Sequence, residues 1–379
     1  YGDHRDLHLS IRRQRQMCIR DRFRTRYGNE IGIISAFFIF FLSSPAPYIL
    51  SLGVLFNFIF NIKLIWCLLI ASTFSTIYVW KGGLSSIIKT DYLQLILMFS
   101  GFFLLIGFSW HNSVSPLGLF KSLPATHQDP LGGNSLQYVL VWFFIAIWTI
   151  IDPNFFQRCT AVKNPEIAKK GLLISICFWF LFDVMTVTAG LYAYIHTVPE
   201  NPLMAYPLLG LEVLPPGFLG YFLVSLFAII MSTIDSMSFV NAITIGRDII
   251  WRLRKKDSKK NPVFLIKKGL IAVAILSIVL SILIPSVVKM LYTLGSLIIP
   301  GLIIPFIHAL IGNNMRITKV NAILWLCAPV AISLMFFIMS ALDIGKLSNI
   351  EPFYPGMATS ILIYFYLKIS SESEKLINP

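Results

Sequence analysis

The chain has 379 residues, of which 56% are hydrophobic and only 13% charged, with a mean hydropathy of +0.75. That balance excludes an ordinary soluble domain and predicts an all-α polytopic membrane protein. The formal net charge of +13 would suit a nucleic-acid partner, but the basic residues alternate between loops, which is a topology signal and argues for no nucleic acid.

The first 22 residues are densely charged and lack the apolar core of a signal peptide. The run Arg13-Gln14-Arg15-Gln16-Met17-Cys18-Ile19-Arg20-Asp21-Arg22 resembles translated sequencing-adapter DNA, so residues 1–22 are expected to be non-native and are set aside from the fold. The alternative is a basic cytoplasmic arm. A helical span needs roughly 20 apolar residues. Ten stretches qualify: 31–57, 64–81, 87–109, 137–157, 168–195, 217–250, 266–284, 286–311, 320–342 and 354–369. With the N-terminus inside, the inner loops collect the basic residues, from Lys81 and Lys89 through Arg158, Lys169 and Lys170 to the run Arg252 to Lys260. The outer loops hold single lysines such as Lys63, Lys121, Lys289 and Lys346, and residues 371–379 form a cytoplasmic tail.

Within this frame, Ala228 to Asp248 sets Ser232, Thr233, Asp235 and Ser236 in a segment apolar enough to cross a membrane. Offsets of one, three and four bring these side chains close together on a helix, and a carboxylate at bilayer depth is costly without a partner. A desolvated cation is the simplest such partner. Pro153 lies inside the span 137–157, where it breaks the helix and exposes backbone beside Trp148, Thr149 and Asp152. Asp183, with Thr186 and Thr188, lies in mid-span; it reads either as functional or as one side of a buried hydrogen bond. Gly295, Pro300, Gly301 and Pro305 mark a deformable helix, and His196 and His308 fall at span ends, as interfacial residues would. The five cysteines are scattered, without Cys-x-x-Cys, and neither Gly-x-Gly-x-x-Gly nor Gly-x-Ser-x-Gly is present. No disulfide framework, zinc site or enzyme is expected.

Four separated motifs carry a resemblance. They are Lys81-Gly82-Gly83-Leu84 with Lys89-Thr90-Asp91-Tyr92-Leu93-Gln94; Asp152 to Arg158 with Ala161; Pro207-Leu208 through Pro215-Pro216-Gly217 into Met231-Ser232-Thr233-Ile234-Asp235-Ser236; and Pro300 to Pro305. In this order they resemble the sodium:solute symporter family, which includes sodium/glucose, proline, pantothenate and sialic-acid carriers. The resemblance implies a leucine-transporter-type inverted repeat of five plus five helices. This chain would hold only part of it: the last three helices of the first repeat, all five of the second and two peripheral ones. The first discontinuous helix would lie upstream of residue 23, so the chain by itself is expected not to transport.

By the same resemblance, Ser232 and Thr233 with the carbonyl of Ile229 would bind the main sodium ion, whose hardness suits oxygen ligands. Asp91, Asp235 and Ser236, with Ser232, would make a second sodium site, and Trp148, Thr149 and Asp152 would meet the substrate. Ile150, Ile151 and Asp152 depart from the family pattern, which leaves the solute open. The implied function is sodium-coupled symport of a small organic solute such as a sugar, amino acid or carboxylate, by alternating access, in a bacterial inner membrane. The alternative is a proton-coupled carrier on the same fold, with Asp91 or Asp235 titrating.

Overall fold

A computed structural model describes residues 19–82, 84–162, 164–197, 201–251, 253, 262–311, 315, 317–345 and 349–377. The inner basic run at Arg252 and 254–260, Cys18, Gly83 and Lys346 lie outside the described residues.

Every regular element among the described residues is helical. In chain order these are α1 (Ile19–Tyr27), α2 (Asn29–Leu42), α3 (Ala46–Phe60), α4 (Leu64–Gly82), α5 (Leu84–Asn112), α6 (Pro116–Ser122), α7 (Ala125–Gln128) and α8 (Leu136–Ile145). After a 3₁₀ turn at Ala146–Ile151 follow α9 (Pro153–Ala161), α10 (Pro165–His196), α11 (Ala205–Val213), α12 (Pro216–Ile243), α13 (Pro262–Leu283), α14 (Val287–Ile311), α15 (Lys319–Ala341) and α16 (Phe353–Ile377). A π-helical stretch, Thr244–Trp251, extends α12.

Among the described residues, eight helical segments are long and apolar enough to cross a membrane. The expected span at 64–81 is a helix, Leu64–Gly82. The one at 354–369 is a helix in which Lys368, Glu372 and their neighbours dilute the apolar stretch. The chain is all-α and multi-pass, with a helix at each expected span.

Of the residues set aside at the start of the chain, 19–22 are described, in α1. Ile19, Arg20 and Asp21 are buried, and Arg20 pairs with Asp248 at 3.0 Å, so residues 19–22 belong to the folded unit. Tyr27 at its end donates to the Pro305 carbonyl at 2.8 Å and meets His308 Nδ1 at 2.7 Å. His308 is buried, not interfacial, because α1 and Trp325 cover it. Burial holds the Tyr27 phenol above its ordinary range and keeps it a donor.

The first expected span, 31–57, is interrupted. Ser43, Ser44 and Pro45 part α2 from α3, and a break at membrane depth survives only if its freed carbonyls find donors. Asn241 of α12 supplies them, donating to Phe40 O at 3.2 Å and Ser43 O at 2.7 Å. Its own Oδ1 accepts from Ser43 Oγ at 3.1 Å, and Ser281 of α13 bonds the Ala46 carbonyl at 3.1 Å. By contrast, Pro300 and Pro305 sit within a continuous α14.

Helices α5 and α12 pack antiparallel, with Ser100 opposite Tyr221 (2.6 Å between hydroxyls) and Asp91 opposite Ser232. Gly101 sits where this packing is closest, because a Cβ there would lie 2.0 Å from Ser225 Oγ. That approach brings the two polar stripes within hydrogen-bond reach.

Candidate functional site

The packing of α5 on α12 sets Asp91 against one turn of α12. Ser232 Oγ donates to Asp91 Oδ1 at 2.6 Å. Asp91 Oδ2 takes an ion pair from Arg158 Nη2 at 3.1 Å, and the same nitrogen donates to Ser236 Oγ at 3.0 Å. Ser232 and Ser236, four residues apart, thus share a face with Asp91. Arg158 is carried there by α9, whose start at Pro153 turns the chain inward after the 3₁₀ stretch.

Asp235 completes the group. Only 1% of it is exposed, and neither carboxylate oxygen has a hydrogen-bond partner among the described residues. Its charged neighbour is Asp91. Two carboxyl groups thus face one guanidinium. A buried carboxyl without a partner is costly in its charged form.

The Thr233 hydroxyl bonds back to the Ile229 carbonyl at 3.4 Å, one turn along the same helix. The structure therefore brings Asp91, Ser232 and Ser236 together through hydrogen bonds, with Asp235 beside them, and links Thr233 to Ile229. In the sequence, Arg158 carries only a topology signal. The sign that marks it is its position five residues beyond the Pro153 break, at the depth of a carboxylate of opposite charge.

The three residues expected at the substrate have other surroundings. Asp152 is buried and caps α9: its Oδ1 accepts from Asn154 N at 2.7 Å and from Asn154 Nδ2 at 3.1 Å. Trp148 packs on the main apolar cluster of α14 and α15, and Thr149 is half-buried. The helix break they flank is present, because Asp152 is extended (φ −72°, ψ 119°) and Pro153 opens a new helix. Asp183 is exposed on α10, contrary to a buried hydrogen bond; Thr186 and Thr188 bond the carbonyls of Asp183 and Val184 on their own helix.

A cavity of about 240 Å³ lies beside Ile229 and Ile230, with Ser51, Thr186 and Tyr206 among its lining residues. It is small against the roughly 300–1,000 Å³ of drug-sized sites. A larger groove of about 1460 Å³ between Phe103, Trp110, Val184 and Phe218 is overwhelmingly apolar and offers little with which to select a polar solute.

The model of the sodium:solute symporter family matches residues 7–322. Sodium/glucose cotransporter 1 of Ovis aries is 24% identical over 294 residues, covering 62% of this chain and 43% of the relative. The high-affinity proline transporter PutP of Bacillus subtilis is 26% identical over 258 residues, covering 66% of this chain and 54% of its own. The chain thus spans about half the length of the curated relatives it matches. A solved structure of a Na⁺-coupled sialic acid symporter superposes with a TM-score of 0.71 at 19% identity, covering 94% of this chain and 77% of the other, a likeness of fold.

Proposed function

The chain belongs to the sodium:solute symporter family, and from that premise we propose that it carries the cation site of a plasma-membrane carrier coupling sodium entry to uptake of a small organic solute. The observation that carries this is the Asp235 carboxyl, without a partner among the described residues, beside the Asp91–Arg158 pair: with both acids ionised the group is one positive charge short of balance. Sodium suits it, since hard cations take carboxylate and hydroxyl oxygens. Ser232 and Ser236 stand ready as further oxygens, and their hydroxyls can turn from their present partners to the ion. Ile229 and Thr233 supply a carbonyl and a hydroxyl for a separate ion. A bacterial inner membrane is the finer placement. The proton-coupled alternative gains no support, because the sodium/glucose and sodium/pantothenate relatives and the sialic acid neighbour are all sodium-coupled.

An ion that binds one conformation better than another shifts the population toward it, and that differential is the whole of the coupling. Arg158, held by Asp91 and Ser236, is the group on α9 that answers to the ion on α12. Sodium entering the cluster repels the guanidinium and loosens α9, which lies just beyond the helix break. The test is thermal stability of the purified protein in sodium against potassium at equal ionic strength. Sodium is expected to raise the melting temperature of the parent and not of Asp235→Asn. Equal sodium stabilisation of the two would remove Asp235 from the site.

A further inference from the structure

Helices α8, α14 and α16 begin on the side that the single lysines Lys121, Lys289 and Lys346 mark as outer. There the segment 349–354, at the entry to α16, fastens to both of the others. Gln137 of α8 donates its Nε2 to the Asn349 carbonyl at 2.7 Å, and its own carbonyl accepts from the Tyr354 hydroxyl at 2.8 Å. Phe353, which is buried, stacks on Phe144 of α8 with ring centroids 5.8 Å apart and planes 10° apart. Glu351 completes the set. Its Oε2 accepts from the Tyr292 hydroxyl of α14 at 2.5 Å, the length of a hydroxyl bonded to a carboxylate.

Tyr292 is the surface on which α8 rests. Its ring centroid lies 5.0 Å from that of Tyr138 and 5.4 Å from that of Trp142. One turn inward, Gly295 keeps the two helices close, since a Cβ there would lie 3.1 Å from Ile145. Beyond Ile145 the chain passes through the 3₁₀ turn to the break at Asp152 and Pro153, and α9 on the far side is tied to α5 and α12 through Arg158. Helix α8 has 10 residues, about half a membrane span, and a helix break at its inner end. Its outer contacts therefore fix where it sits. Among them the Glu351 carboxylate is half-buried, so water can replace its partner at small cost.

We propose that residues 349–354 form an outer strap with Glu351 as its latch, which holds α8 on α14 and, when released, lets α8 swing about the break and opens a way from the outside to Asp152 and Pro153. Glu351 is a positioning residue in this device. It acts on α8 through Tyr292, whose ring it holds as the platform for Tyr138 and Trp142. A peripheral helix thereby sets the outer half of an interrupted one, while the inner half answers to the group at Asp91.

The test is amide hydrogen exchange of the purified protein, read peptide by peptide, which reports local opening. Glu351→Ala and Tyr292→Phe are each expected to speed exchange over 136–145 roughly 5-fold or more, the worth of one hydrogen bond to a charged group at a half-exposed position. The double variant should go no further than either alone, because both changes cut the same bond. Glu351→Gln keeps an acceptor and should exchange as the parent does. Tyr292→Phe removes a single oxygen, so it carries the test even if Glu351→Ala fails to fold. The opening itself is read with Val141→Cys in right-side-out vesicles, the native cysteines replaced by serine. Val141 is fully buried in the apolar cluster that α8 shares with α14, and a membrane-impermeant maleimide added outside should label it faster when Tyr292→Phe is also present. Unchanged exchange over 136–145, additive effects of the two changes, a rise of equal size in every helix, or labelling that Tyr292→Phe leaves unaltered would each overturn the proposal.

Discussion

Replacing Arg158 with Gln removes the resident cation from between Asp91 and Ser236 while keeping a polar side chain of similar reach. The ion pair is 3.1 Å long, with side chains 39% and 25% exposed. Two unit charges about 4 Å apart interact by about 1 kcal/mol in water and about 4 kcal/mol at an effective dielectric of 20. Partial exposure places this pair toward the lower end, about 1–2 kcal/mol. The same charge acts on any sodium held between Asp91 and Asp235, so its removal should tighten sodium binding roughly 5- to 30-fold. Titration of thermal stability or intrinsic tryptophan fluorescence with sodium, potassium making up constant ionic strength so that screening does not change, reads this directly. A variant with parental helicity whose sodium half-saturation is equal or weaker would show that Arg158 and the ion do not share a site.

Ser232→Ala should weaken sodium activation, because it removes an oxygen within 2.6 Å of Asp91, whereas Thr233→Ala acts beside the Ile229 carbonyl; sodium half-activation curves should show the two losses as separable and additive, and strong coupling between them would argue for one shared ion. Asn241→Leu deletes the bonds to Phe40 O and Ser43 O and leaves those carbonyls unpaired; it should cost about 1–3 kcal/mol per orphaned group, read as a lower melting temperature that sodium does not restore. Gly101→Val drives a side chain into Ser225, 2.0 Å from its first carbon, so α5 and α12 must separate. Loss of sodium stabilisation exceeding the loss of protein level is the expected result, and a Gly101→Val variant that responds fully to sodium would refute the close approach as what assembles the site.

Composition and pattern determine much of this molecule. Apolar runs of span length can satisfy their backbones in a membrane only as helices, so the all-α, multi-pass character is present in the one-dimensional pattern. Spacing on a single helix is likewise local: Ser232, Asp235 and Ser236 share a turn wherever α12 goes, and Pro153 breaks its span whatever packs beside it. Contacts between helices are not local. That Asp91 faces Ser232 depends on Gly101 admitting Ser225; that Arg158 reaches both Asp91 and Ser236 depends on how α9 leaves its break; that Asp152 caps its own helix depends on which of several geometries the backbone takes there. The interruption at Ser43 to Pro45 belongs to the same class, since an apolar stretch reads as one span until Asn241, 198 residues away from Ser43, supplies the donors that let it part. Periodicity records which residues lie on one helix face, and only tertiary packing decides what each face meets.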